Sequence, residues 1–493
     1  MDRNKRLNIA AILLIVFNAI FIMSMVLVLS LGMIKPYYLR HIVVSRISVI
    51  LVAIVELIVC IALLYLTRKI NKKYLKVISI INFIIFFILL CMFGFTLAVT
   101  PTWDFGEVYK IGILKAQDKI HYLPSYYYQL YPNNIFITII WSVIYKVFGV
   151  LSINYLYGSI GINIILILAT MIITYFLIKD EYGLRIATIA SLVFLVMTPL
   201  YIYAPIFYTD TTTMIFLPLC YLLYRKYLKN NKWRYLIIIG ILAAIGIGIK
   251  NNICIGFIAL AIFVLFQIKG IKKLLKFFAG IAIPLVIVTT IITNINQTQI
   301  PIKLSEAGLP YTHWIMMSLV GSGGWDQQAI DNSLAAGPGK DKIKAYNEKI
   351  IKERLEGYGF SGLMMHLYYK NRYTWSDGTE FGTTYLALKP LNKGRLYEYV
   401  VGDKAHPFLL LSQGSQVFMI FMMIIGAIGL FKNRKNLSML CNITIFGMFV
   451  FLMIWETCPR YLLCILPIML ISAMNGLSKI DLLLGGEKAE IKE

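Results

Sequence analysis

Four ionisable residues stand where the chain enters or leaves apolar runs. Asp104 lies in "TPTWDFGEVYKIG" (100–112), Asp210 in "IFYTDTTTM" (206–214), Lys250 in "GIGIKNNICIGF" (246–257) and Arg460 in "WETCPRYLLCILP" (455–467). A carboxylate in such a place can take the proton of an attacking hydroxyl group. Arginine offers a phosphate a bidentate fork and lysine a point charge, so the two cations suit the phosphate of a lipid. Each residue also has a purely structural reading. Asp104 is an acid at a membrane interface, Asp210 before three threonines is a helix N-cap, and a terminal Lys or Arg can snorkel to the headgroups. Around Asp104, Trp103, Glu107 (one helical turn on), Tyr109 and the run "SYYYQLYP" ending in Tyr131 and Pro132 offer aromatic faces to a sugar. Aromatic belts at membrane interfaces have the same composition.

Those residues need helices to hold them. Of 493 residues, 59% are hydrophobic and 14% charged, and the mean hydropathy of +0.75 is far above that of a water-soluble domain. The chain therefore reads as a polytopic membrane protein. Its first apolar stretch, 7–34, is too long for a signal-peptide core and is expected to stay as a membrane helix. The net charge of +23 does not indicate nucleic acid, because of where it lies. "TRKINKKYLK" (67–76), "RKYLKNNKWR" (225–234), "KGIKKLLK" (269–276) and "KNRK" (432–435) are short basic loops without one acid. They mark a cytoplasmic face.

Thirteen segments between 8–33 and 461–478 are apolar enough to be spans. If all crossed, three basic loops would lie outside. The segment 132–150, which opens with Pro-Asn-Asn and carries Lys146, is expected to lie along the membrane instead. About 12 crossings then place both termini inside, with Lys35, Arg40 and Arg46 external. The segments 100–131, 206–211, 250–252, 295–412 and 456–460 share the outer face. Within 295–412, 13 Lys plus Arg meet 11 Asp plus Glu, so this stretch is nearly neutral and expected to fold. Helical spacing runs over 340–373, flanked by Gly-rich loops that carry Trp325, Asp326, Trp375 and Asp377.

Several chemistries find no motif. There is no P-loop and no GxSxG elbow. The five histidines, including His41, form no paired ligand motif. Six of the seven cysteines sit in apolar runs and only Cys458 lies near an outer surface, so no external disulfide framework is expected. Glu56 is the clear acid within a span, whereas transporters gather such groups at the midplane.

In order, an external "WD…Y" loop, a "YP" turn into an apolar segment, a "YTD" turn, a "K" hairpin and "RYLLCILP" resemble the C-type-fold (GT-C) integral-membrane glycosyltransferases. The likeness is to the protein O-mannosyltransferase and aminoarabinose-transferase branch and covers roughly 78–270 and 440–475. It implies an all-α bundle of about 12 transmembrane helices plus juxtamembrane helices, with one large extracytoplasmic loop. It implies inverting transfer of a sugar from a polyprenyl-phosphate donor to an envelope glycan, lipid or protein at the outer face, with no nucleic acid as partner. Asp104 would be the catalytic base and Asp210 the second catalytic acid, orienting the acceptor or sharing a metal. Lys250 and Arg460 would stabilise the phosphate, and Trp103, Glu107, Tyr109 and Tyr131 would bind substrate. Where the family has two prolines, this chain has Tyr131-Pro132-Asn133. The resemblance leaves a divalent cation, Mg or Mn, open.

The expected organisation is a bundle over 1–294 with a catalytic loop at 100–131, an extracytoplasmic loop domain over 295–412, and helices plus a cytoplasmic tail over 413–493. The expected place is a bacterial plasma membrane, with membrane lipids as neighbours. Two other functions fit the same composition: a flippase or transporter of a lipid-linked glycan precursor, and an envelope glycan polymerase or ligase.

Overall fold

The computed structural model describes residues 3–34, 42–431 and 436–486. Lys35, Arg40, His41, the basic 432–435 loop and the tail beyond 486 lie outside the described residues. Among the described residues the secondary structure is helical, apart from one isolated bridge between Val99 and Pro390. A chain crossing hydrocarbon must satisfy its own backbone, which a helix does within one segment. Nine helices among the described residues are long and apolar enough to cross, from Ala11–Met33 to Pro459–Leu483. Two shorter apolar helices, Trp233–Ile249 and Asn251–Gln267, add to them.

The expected spans at 153–177 and 186–205 are two limbs of a hairpin. Helical backbone runs over Tyr155–Val193 except at Gly183, whose φ of 88° and ψ of 169° break it. Only glycine adopts that backbone without strain. The second limb returns beside the first: Tyr175 donates to Ser79, which also bonds Thr188. Near the far end the Asn163 amide donates to the carbonyls of Tyr203 and Ala204, each at 2.9 Å. This limb is helical to Val193, irregular over 194–197, and helical again at Thr198–Ile202.

The Pro132–Val150 segment, expected along the membrane, has the length and composition of a span. It packs along the Trp103–Ala116 helix, where Gly112 sits against Tyr145, and it also reaches the 203–208 turn. Asn134 accepts from the Tyr208 hydroxyl, Trp141 packs on Phe207 at 5.2 Å, and Tyr145 meets Ser159 in the opening turns of the next helix. The helix expected over 340–373 runs from Lys340 to Trp375, with a break at Gly359 where φ is 55°. Its latter half turns into the bundle: Thr374 bonds Thr457 and Trp375 packs on Phe449.

At the centre, His406–Gly429 and Leu466–Leu483 cross at small residues. A Cβ on Gly476 would stand 2.1 Å from the Met422 carbonyl oxygen, so any larger residue would force the helices apart. Asn475 donates to the Gly426 carbonyl at 2.9 Å across the same crossing.

The helices sort their ends. One end gathers basic-loop residues and binds its acids closely. Arg68 and Arg185 both hold Asp481, and Arg225 holds Glu181. The opposite end gathers 100–104, 127–134, 203–210, 249–252 and 455–461 around a cleft. Much of the stretch after residue 310 covers this end.

Candidate functional site

Asp104 sits in the first turn of the Trp103–Ala116 helix. Its approach is anchored by a short antiparallel pairing, in which Thr100 N–H donates to Lys389 and Leu391 N–H to Ala98. Trp103 has a φ of 52°, a strained conformation for a bulky residue that the surrounding structure must hold. The Tyr127 hydroxyl donates to Asp104 Oδ1 at 2.7 Å and itself accepts from the Asn134 amide at 2.6 Å. Asn134 Oδ1 accepts from Tyr208 at 3.1 Å. Burial holds both tyrosines well above the usual phenol range, so each stays a donor. Oδ1 of Asp104 is thus fixed, and Oδ2 is directed to Arg460.

Asp210 lies in the short Thr209–Thr213 helix and is not its N-cap; Tyr208 takes that place. Its side chain is 3% exposed and accepts from Lys250 Nζ at 2.7 Å. Lys250 is the C-cap of Trp233–Ile249. Arg460 opens the Pro459–Ile465 3-10 turn. It lies 3.6 Å from Asp104 Oδ2 and 3.7 Å from Asp210 Oδ2. Both separations exceed hydrogen-bonding distance. What holds the guanidinium is the Tyr385 hydroxyl, 2.7 Å away, and the rings of Tyr208 and Tyr461 at 5.5 and 5.3 Å. Neither cation snorkels; both turn inward onto carboxylates.

Behind the cations, Tyr461 donates to Glu456 at 2.7 Å, and burial raises the Glu456 carboxyl above its ordinary range. Lys370 donates to the Ser318 carbonyl at 3.4 Å, and burial lowers its ammonium to about 7.

These groups border an open cleft of about 1540 Å³. Trp103, Asp104, Glu107, Tyr109, Tyr131, Lys250 and Arg460 line it, and Asp210 lies beneath Lys250. The expected residues therefore come together, but not as equals. Asp210, buried and bonded to Lys250, is placed to position that cation rather than to touch an acceptor. Glu107 accepts from Tyr126 at 3.1 Å. Half-buried Tyr109 packs on Tyr145 and Phe207. Trp325 lines the cleft, whereas Asp326 caps a helix through the Ala329 N–H and Asp377 accepts from the N–H groups of Thr379 and Phe381. Trp375 is buried in the core, and Cys458 is a buried free thiol. Sequence reasoning missed Tyr385, Tyr127 and Asn134, whose partners are distant along the chain.

For a divalent cation the arrangement is a poor cradle. Among the described residues no group of three or more His, Cys, Asp or Glu side chains is placed to hold one. The two nearby acids, Asp104 and Asp210, both face the Arg460 guanidinium.

Fold and cleft define a polytopic helical integral membrane protein with a charged, aromatic cavity at one end of its bundle. The family described as conserved hypothetical integral membrane protein matches residues 4–479, and the chain belongs to it. No curated protein matches the chain.

Proposed function

We propose that the protein is an inverting glycosyltransferase that moves a sugar from a polyprenyl-phosphate donor to an envelope acceptor on the extracytoplasmic face of a bacterial plasma membrane. One observation carries the reading. Arg460 approaches two carboxylates at 3.6 and 3.7 Å without hydrogen-bonding distance to either, and Lys250 stands on the other side of Asp210. A guanidinium so placed can turn its fork to a phosphate, while the nearer acid, Asp104, keeps one oxygen for a proton.

In this reaction the acceptor hydroxyl oxygen forms a bond to the anomeric carbon, and the bond from that carbon to the phosphate oxygen breaks. The phosphate leaves with the electron pair, stabilised by Arg460 and Lys250. The hydroxyl proton passes to Asp104. Asp210 positions Lys250, and Tyr127 orients Asp104. Direct displacement inverts the anomeric centre.

The test is sugar release from a panel of polyprenyl-phosphate sugars by detergent-purified protein supplied with host envelope extract. The expected result is turnover of one donor by wild type and none by Asp104→Asn at an unchanged melting temperature. Retained transfer by well-folded Asp104→Asn, or no turnover of any donor by wild type, would overturn the reading.

A further inference from the structure

We infer that the outer part of the cleft is an acceptor subsite for a neutral saccharide chain of at least two rings, with Trp103 and Trp325 as its stacking platforms. The inference rests on the transferase reading for its direction, since Asp104 marks the reacting end.

Two tryptophans line the cleft with much of their surface open, Trp103 at 54% and Trp325 at 59% exposure. Both have fixed mounts. Trp103 stands at a φ of 52° with its ring 5.6 Å from Tyr385 and 6.4 Å from Phe381. Trp325 follows the Gly-rich 321–324 loop, which is tied to the bundle where Thr457 N–H donates to Gly323 at 2.8 Å. Just after it, Asp326 caps the next helix.

Tyr131, in the same lining as Trp325, leads to the base. Tyr131 packs 5.2 Å from Tyr127, which donates to Asp104. The cleft of about 1540 Å³ that both tryptophans line has room for more than one sugar ring. A sugar ring presents a C–H face to an aromatic ring and hydroxyl groups around its edge. The exposed indoles supply the faces, and Glu107, Lys110 and Asn133 supply polar partners in the same lining.

Charge and backbone narrow the class. Among the described residues, four acids and four bases line the cleft, so their formal charges cancel and favour no charged chain. An acyl chain would set the charged groups of Glu107, Lys110 and Asp326 against hydrocarbon. The described residues offer an extended peptide no strand edge to pair with.

The experiment is isothermal titration of the full chain in detergent with neutral oligosaccharides, released by mild acid from the host envelope and fractionated by length. Ser- and Thr-containing peptides are titrated in parallel. Binding should tighten from one ring to two, and Trp325→Ala should weaken the longer chains about tenfold, or ~1.4 kcal/mol, while sparing the monosaccharide. Trp325→Phe should restore most of the loss. Unchanged affinity in Trp325→Ala, which an aromatic belt would give, overturns the subsite, as does binding of peptides instead of saccharides. Donor turnover is measured separately. Saccharide binding without donor turnover removes the transferase reading and leaves the subsite; turnover without saccharide binding does the reverse.

Discussion

The two ends of the bundle use the same side chains in opposite ways. At the basic end Asp481, 4% exposed, is held by Arg68 at 2.9 Å and by Arg185. Arg68 also donates to the carbonyls of Asp481 and Leu484. These contacts fasten three helices and turn the guanidinium Nη groups onto protein acceptors. At the cleft end Arg460 stands 3.6 and 3.7 Å from its two acids and donates a hydrogen bond to the Tyr385 hydroxyl. The first arrangement is a clamp. The second leaves guanidinium donors facing a cavity, which a structural ion pair has no need of.

The largest test of the contrast pairs one acid from each end. Asp104→Asn should reduce transfer by at least about 100-fold, the range for a lost general base, with an unchanged melting temperature. Asp481→Ala should do the opposite. Removing one partner of a buried ion pair costs about 3–5 kcal/mol, and two arginines lose their carboxylate here. Its thermal unfolding in detergent should fall sharply while the surviving folded fraction still binds donor. A large stability loss in Asp104→Asn would erase the distinction.

How much of this could be read in the sequence follows from range. Asp104, Asp210, Lys250 and Arg460 were visible because each marks the end of an apolar run, where a charge stands out against its neighbours. The basic loops gave the sorting of the ends by the same local signal. Tyr385 was hidden in "FGTTYLALKP", since nothing local shows that its hydroxyl meets Arg460, 75 positions away. Asn134 looked like part of a turn, and only the fold brings Tyr127 and Tyr208 to its two sides. The role of Asp210 shifted for the same reason: its pairing with Lys250 spans two helices. Gly183 and Gly359 carry the backbone breaks, but a glycine in sequence does not state whether the chain bends or reverses.

A smaller effect sharpens the contrast between fork and point charge. Arg460→Lys keeps the positive charge but loses the planar fork and the reach to Tyr385. Donor affinity should fall about tenfold, or ~1.4 kcal/mol, with little change in melting temperature. Binding of a fluorescent polyprenyl-phosphate analogue is the measurement. An equal loss in Arg68→Lys would show that the arginine fork acts on overall folding and not on the donor.

The smallest effect concerns Lys370, the buried cation behind the cleft. Burial lowers its ammonium from 10.5 to about 7, so between those values the unfolded chain binds a proton that the folded chain has released. Stability must therefore rise with pH across that window, and the contribution is lost as pH falls through 7. The melting temperature of wild type should climb from pH 7 to pH 9 relative to Lys370→Met, which lacks the titrating group. Parallel curves for the two proteins would mean that Glu456, the acid whose charge favours the ammonium, holds Lys370 protonated, and the cleft end would then be clamped like the other.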